Sequence, residues 1–361
     1  MRRRPLLAAP LVAGLPRAAW PAGGTSSALP LRELVFPQDH GAHPDHRTEW
    51  WYVTGAVQDS GRRTLGFQVT FFRSRVEGTQ AMRSAFAARQ LVFAHAALSD
   101  PAAPRQWHDQ RMAREGHGLA LAATGDTRLR LRDWSLERAA GGSYRTRVMA
   151  DGFSLELTLS PTQPLLLQGR QGLSRKGPEP EQASYYYTQP QLAVSGRIGR
   201  GGTPQAVQGR AWLDHEWSQT VMHPEAVGWD WIGINLDDGS ALTAFQLRRA
   251  DGSALWAGGS FRTGGPAGLQ TRIAEPADIA FTPRRHWTSP ATGARYPVEW
   301  TVRSPAGLHT VRARMDAQEL DSRASTGTVY WEGLSELLDA SGRRVGTGYL
   351  EMTGYAAPLR L

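Results

Sequence analysis

The run Trp212-Leu213-Asp214-His215-Glu216-Trp217 gathers two carboxylates and an imidazole within six residues. Side chains of an extended strand alternate between faces, so Trp212, Asp214 and Glu216 share one face and His215 takes the other. Two residues along a strand span roughly 6.6 Å, close enough for the two acids to share a site and for one to be pushed upward in pKa. Such an acid can protonate a carbon–carbon double bond, and nearby aromatic faces can stabilise the resulting cation. Asp214 is the expected proton donor, with Glu216 or Asp230 as partner or water-orienting base. Trp229-Asp230-Trp231 sets the third acid between two indoles, though a regular strand turns Asp230 away from both. The competing reading pairs these acids with arginines such as Arg210 or Arg248 at strand ends.

Trp50, Trp51, Tyr185, Tyr186, Tyr187, Trp212, Trp229 and Trp231 are the candidate lining of an apolar ligand site. Neighbours such as Trp50 and Trp51 must point to opposite faces, so at most half of each run lines any one cavity.

Other chemistries find less support. His40, His43 and His46 recur at intervals of three with Asp39 and Asp45 nearby. Gly41 and Pro44 break any helix that would align them, so a loop packed against a barrel mouth is expected there and no metal is assigned. His215-Glu216 opens like a zincin helix but lacks the second histidine, and Gly172 to Gly177 misses the nucleophile-elbow spacing by one residue. No Walker loop or dinucleotide fingerprint is present. The chain has no cysteine, which removes disulfides, thiolate metal sites and cysteine nucleophiles together. Alkene protonation needs no cofactor.

Strands must position these residues. Phe67 to Phe71 and Phe153 to Leu159 place apolar residues at every second position, and turn clusters such as Asp59-Ser60-Gly61, Asp237-Asp238-Gly239 and Asp251-Gly252 punctuate the chain. One short helix is expected over 81–90. Aligning the chain with itself matches Trp51 with Trp229, Asp59 with Asp237, and Phe67-Gln68 with Phe245-Gln246. Gly209 to Asp214 likewise parallels Gly346 to Glu351, both reading Gly, any residue, small, aromatic, Leu, acid. The chain therefore reads as all-β, with two related antiparallel units. A closed up-and-down barrel of about eight strands would hold one small apolar ligand; a sandwich is the alternative.

At 361 residues, the chain is long enough for two domains. The net charge of +8 includes Arg2, Arg3, Arg4 and Arg17, and the remaining cations are interspersed with acids, so no nucleic-acid partner is expected. Lys176 is the only lysine. No apolar run is long enough for a transmembrane helix. Residues 1–28 read as an export signal, with Arg3-Arg4-Pro5-Leu6-Leu7 close to the twin-arginine pattern, which predicts a periplasmic or secreted protein.

Several strings resemble the AttH and carotenoid 1,2-hydratase family, in its secreted lipocalin-like branch described as predicted hydrolases. They include Phe36 to Gly41, Thr48 to Gly55, Ser174 to Gly177, Ala183 to Tyr187, Ala211 to Trp217, Gly228 to Gly233, Tyr330 to Gly333 and Gly348 to Tyr355. The resemblance implies two tandem lipocalin-like (calycin-type) antiparallel β-barrel domains, over 33–218 and 219–361. It implies a hydrophobic, isoprenoid- or lipid-like ligand and a hydratase-like enzyme using carboxylate acid catalysis. Its alternatives are a non-catalytic carrier or ABC-transporter accessory, and a secreted hydrolase working through Asp214, His215 and Glu216.

Overall fold

The computed structural model describes residues 28–359 apart from 221, 266 and 267, so the export segment assigned to 1–28 lies almost wholly outside the described residues. The first sheet has thirteen strands. In chain order these are β1 (Thr48–Asp59), β2 (Thr64–Arg75), β3 (Gln90–Asp100), β4 (Arg105–Arg114), β5 (Ala120–Ala122), β6 (Arg128–Leu131), β7 (Trp134–Arg138), β8 (Tyr144–Ala150), β9 (Phe153–Ser160), β10 (Leu166–Leu167), β11 (Leu173–Arg175), β12 (Ala183–Gly199) and β13 (Gln205–Ser218). The second sheet has ten: β14 (Gly228–Leu236), β15 (Ala241–Arg248), β16 (Ala254–Arg262), β17 (Thr271–Ala274), β18 (Ala280–Thr288), β19 (Arg295–Ser304), β20 (Gly307–Ala313), β21 (Glu319–Ser322), β22 (Thr328–Leu338) and β23 (Arg344–Met352). All ladders are antiparallel. The main path of the first sheet runs β4-β3-β2-β1-β13-β12-β9-β8-β7-β6-β5, and its ends curl round until β5 and β6 meet β3 and β4 in a nearly closed barrel.

The only helical turns among the described residues are of the 3-10 type, at Gln38–His40, Glu77–Thr79 and Pro276–Asp278. The helix expected over 81–90 is therefore not formed. That stretch is a loop drawn shut by the polar side chains just before it: Thr79 Oγ1 donates to the Ala88 carbonyl and Gln80 Nε2 to the Arg89 carbonyl, both at 2.8 Å. Ten residues without an apolar stripe do not offset the cost of helix nucleation.

Alternation divides every central strand between two environments. Trp51, Val53, Tyr185, Tyr187, Leu213 and Trp217 join the core enclosed by the first sheet. Ile232, Ile234, Trp331, Leu350 and Met352 join the core of the second. The residues between them point the other way: Tyr52, Trp212, Trp231, Phe245, Leu334 and Tyr349 pack together as a third cluster, a seam between the sheets, with Trp50 and Trp229 half-buried at its end. The sheets touch closely there, since a Cβ on Gly66 would stand 2.7 Å from the Tyr349 hydroxyl and 2.9 Å from Leu334 Cβ.

A β-bulge makes one link across the seam. The β12 register shifts between Gln189 and Leu192, and Gln191 takes a left-handed φ of 55°. The extra residue turns Gln191 out of the ladder toward the second sheet. There its backbone N–H donates to Asn235 Oδ1 at 2.8 Å, and its amide to the carbonyls of Leu236 and Ser240 at 3.0 and 2.7 Å.

The internal repeat is visible in the ladders, but the alignment at its opening is one residue out. Tyr52 pairs with Asp214, and Trp231 with Glu351. Trp50 and Tyr52 are thus the counterparts of Trp229 and Trp231. Matching Trp51 to Trp229 puts a residue of the first core against a residue of the seam, the consequence of a one-residue slip in a period-2 pattern. The closing strings agree in face, with Trp212 and Tyr349 both in the seam.

Candidate functional site

The four residues of the expected site, three acids and a histidine, are spread over three environments. Asp214 and Glu216 lie in the seam with Trp212, as alternation requires. His215 projects into the first core and Asp230 into the second. Of the aromatic candidates, Trp50, Tyr186, Trp212, Trp229 and Trp231 belong to the seam, while Trp51, Tyr185 and Tyr187 pack inside the first sheet.

Asp214 is held by three donors. The Trp212 indole N–H and the Thr188 hydroxyl donate to Oδ1 at 2.8 and 2.6 Å, and the Tyr186 hydroxyl donates to Oδ2 at 2.8 Å. Thr188 stands opposite Asp214 on β12, and Trp212 is two residues back along β13, so ladder and alternation deliver these donors. Burial outweighs them: with 3 % of its surface exposed, Asp214 is raised to about 7, and Glu216 adds to the rise. The Trp231 indole reaches the Tyr186 hydroxyl at 3.4 Å, and Tyr52 meets Trp231 edge to face, so aromatic rings from both sheets surround the acid.

Glu216 has a different environment. Lys176 Nζ lies 3.0 Å from its Oε1, and the Ser184 hydroxyl donates to it at 2.5 Å. The ammonium also lies over the rings of Tyr186 and Phe245, 4.5 and 4.4 Å from their centroids.

The second sheet contributes residues that the reading of the sequence did not place in the site. Glu332 and Glu351 are directly opposite one another on β22 and β23. Burial raises both, Glu351 to about 7 and Glu332 well above the carboxylate range, and Glu351 adds to the rise at Glu332. Glu351 also feels the negative charge of Asp214 and Glu216 across the seam. Tyr52 and Tyr330 bring their hydroxyls to the Glu332 carboxyl, yet Glu332 Oε1 and the Tyr52 oxygen fall outside hydrogen-bond geometry with any partner among the described residues. The available signal was the repeat itself, which marks Glu351 as the counterpart of Asp214. Glu332 carries no such mark.

Asp230 is satisfied within the second core by Gln246 at 2.8 Å, Tyr355 at 2.9 Å and an ion pair with Arg248 at 3.3 Å. The expected arginine pairing thus occurs at Asp230, whereas Arg210 donates to Gln191.

His215 joins a separate network with the histidine loop. Glu49 Oε1 contacts His43 Nδ1 at 2.7 Å and His215 Nε2 at 2.9 Å, while Arg73 Nε donates to Glu49 Oε2 at 2.8 Å. Beyond them, Asp39 bridges His43 and Arg32, and the Tyr187 hydroxyl bridges His215 and His40. Burial opposes ionisation of Glu49, but the bonds from His215 and His43 hold it well below the usual carboxylate range. Burial lowers His215 to about 4 and His40 to about 3. The donor atoms of His43, Glu49 and His215 lie within 4.8 Å of one another, a nitrogen–oxygen set able to ligate a divalent metal. Arg73 already supplies a positive charge to that carboxylate, so the network is also complete as a buried chain of ion pairs.

Three comparisons place this arrangement. Residues 27–355 match the AttH-like family. The fold is similar to that of a protein of Nitrosomonas europaea assigned as an AttH, at 50% identity and a TM-score of 0.84, covering 91% of this chain and 99% of that one. It is also similar to kievitone hydratase from Nectria haematococca (14% identity, TM-score 0.69, 90% of this chain and 94% of that one) and to CghA (15%, 0.52, 85% and 88%). No curated protein sequence matches the chain significantly. With a family match along nearly its whole length and a half-identical relative of the same fold, the chain belongs to the AttH-like family.

Proposed function

We propose that this protein is a cofactor-independent hydro-lyase that adds water to an alkene of a hydrophobic, isoprenoid-type ligand held between the two sheets. The observation that carries the reading is Asp214, a fully buried acid raised to about 7 and ringed by aromatic side chains. Near neutrality such a group is present in both protonation states, the condition for general acid catalysis. The Asp214 O–H bond breaks as a C–H bond forms at the less substituted alkene carbon, leaving a tertiary cation. The faces of Trp212, Trp231 and Tyr186 stabilise that cation through their quadrupoles. Water then forms the C–O bond and gives up a proton, and the product is a tertiary alcohol. Trp50 and Trp229 mark the end of the seam from which a ligand would enter.

The name of kievitone hydratase supports a hydratase on this fold, although fold alone does not fix activity. In this reading the units 33–218 and 219–361 act as one enzyme because the site is built from both. The N-terminal signal would deliver it to the periplasm, where a transporter of ABC type is a candidate partner. No helix among the described residues is long and apolar enough to cross a membrane.

The test is incubation of the purified protein with prenylated phenols and acyclic terpenes in water labelled with heavy oxygen, followed by mass spectrometry. Incorporation by wild type and none by Asp214→Asn supports the reading. A ligand that co-purifies and is returned unchanged by both forms would make the protein a carrier.

A further inference from the structure

His95 belongs to neither the acid site nor the ion-pair chain, yet it is 1 % exposed and lies at the contact of the two sheets. Its Nδ1 is 2.9 Å from the Tyr330 hydroxyl and its Nε2 is 2.8 Å from Ser325 Oγ, both on the second sheet's side. Ser325 is partly exposed, and its hydroxyl donates to Gln110 Oε1 at 2.6 Å. At the other end the Tyr330 hydroxyl lies close enough to the Glu332 carboxyl to favour its charged form. Hydroxyl, imidazole and phenol thus form a hydrogen-bonded line from the surface that ends beside the Glu332–Glu351 pair.

Each member can accept a proton at one position and release one from another. The imidazole does so through its two nitrogens. With the proton on Nδ1, His95 donates to Tyr330, which donates to Glu332; with it on Nε2, the polarity of the line reverses. Burial, and the His108 ring packed edge-on, lower His95 to about 3 and keep the ring neutral, as a tautomeric relay requires. Phe72, on β2, packs against the same ring and carries no charge.

Glu332 and Glu351 occupy opposed positions on one face of one ladder, where two negative charges repel. Tyr52 faces them from β1 and Tyr349 from β23, and neither supplies a cation. The unpartnered Glu332 Oε1 and Tyr52 hydroxyl are buried polar atoms directed at this space, and such atoms are ordinarily satisfied by water or ligand.

We infer that Glu332 and Glu351 share a single proton, take up the proton released by the attacking water, and discharge it to solvent through Tyr330, His95 and Ser325. The inference rests on the hydratase reading for its purpose, because an acid and a base at separate carboxyls must each be reset between turnovers. The proton balance closes over one turnover: Asp214 gives one proton to the alkene, water gives one to the carboxyl pair, the pair discharges one to solvent, and Asp214 regains one from solvent, with no change of oxidation state.

The experiment needs no substrate. Infrared spectroscopy of the ligand-free full chain follows the carbonyl stretch of buried protonated carboxyls after transfer to deuterated water. The band of the shared protonated carboxyl should shift in frequency in Glu332→Gln and likewise in Glu351→Gln, while keeping its wild-type position in Asp214→Asn. Its hydrogen–deuterium exchange should slow by about tenfold or more in His95→Gln and Tyr330→Phe, because exchange must then wait for local opening. Glutamine keeps hydrogen-bonding groups at position 95 and phenylalanine keeps the ring at 330, so unchanged melting temperatures separate a relay defect from misfolding. Exchange at the wild-type rate in both variants would overturn the relay, and an unaltered carboxyl band in the two glutamine variants would overturn the shared proton. The hydration assay is independent: if Asp214→Asn is inactive and Glu332→Gln is fully active, the base assignment fails while the hydratase reading stands.

Discussion

Glu332 and Glu351 stand side by side on adjacent antiparallel strands, both directed at the seam and neither paired with a cation among the described residues. Replacing either by glutamine removes the repulsion that appears when both ionise. Glu332→Gln and Glu351→Gln should each raise the melting temperature at a pH of about 8 and change it little at a pH of about 5, where the pair is protonated. Thermal unfolding at the two pH values checks this. Equal shifts at both would mean that packing, not charge, sets the effect.

Asp214 makes a second pH-dependent contribution whose sign is fixed. Its folded pKa of about 7 exceeds the ordinary value of 3.8, so between them the folded chain binds more protons than the unfolded one. The stabilisation is complete below 3.8 and is lost as the pH rises through about 7. Wild type minus Asp214→Asn should therefore lose stability across that window by up to about 1.4 kcal/mol per pH unit. Denaturant unfolding of the two forms gives the difference directly. In hydration assays the same variant should lose about a hundredfold or more in rate.

The buried ion-pair chain should behave in the opposite way to the seam. Glu49 is matched by Arg73, His43 and His215, and it is fully enclosed. Glu49→Gln would leave the Arg73 guanidinium, 1 % exposed, without its counter-charge. A loss of about 3–5 kcal/mol in unfolding free energy is expected. A loss below about 1 kcal/mol would show that water or another acid compensates.

Gly66 tests how closely the sheets must approach. A methyl group there meets the Tyr349 hydroxyl at 2.7 Å and Leu334 Cβ at 2.9 Å, and the latter belongs to a side chain fixed in the seam. Gly66→Ala should cost about 1–3 kcal/mol. Because it forces the sheets apart, it should also alter the fluorescence of the seam tryptophans. A native spectrum in a stable variant would contradict that.

Alternation alone was enough to read Trp212, Asp214 and Glu216 onto one face and to turn Asp230 away from its flanking indoles. Those relations lie within one strand and depend only on the parity of residue number. The bulge at Gln191 reverses that parity within β12, so Tyr185 and Tyr187 before it and Leu192 and Val194 after it reach the same core. A lone glutamine in an extended run gives no warning of this. The self-alignment failed for a related reason: short aromatic strings match well at two neighbouring offsets, and only the ladder tells Trp50 from Trp51. The partners of His43 were equally hidden, because Glu49 is near in sequence but His215 arrives only when β13 closes on β1. Glu332 is the clearest omission. Its significance comes from standing beside Glu351 and beneath Tyr52, a coincidence of three strands that no local spacing encodes.

Lys176 is the chain's single lysine, and its ammonium is committed to Glu216 beneath the rings of Tyr186 and Phe245. Apart from the α-amine, the protein therefore presents amine-directed reagents with one side chain, and that side chain lies at the acid site. Its acylation rate becomes a gauge of how often the ammonium leaves Glu216, and a ligand lodged between the sheets would register as protection of one identifiable peptide.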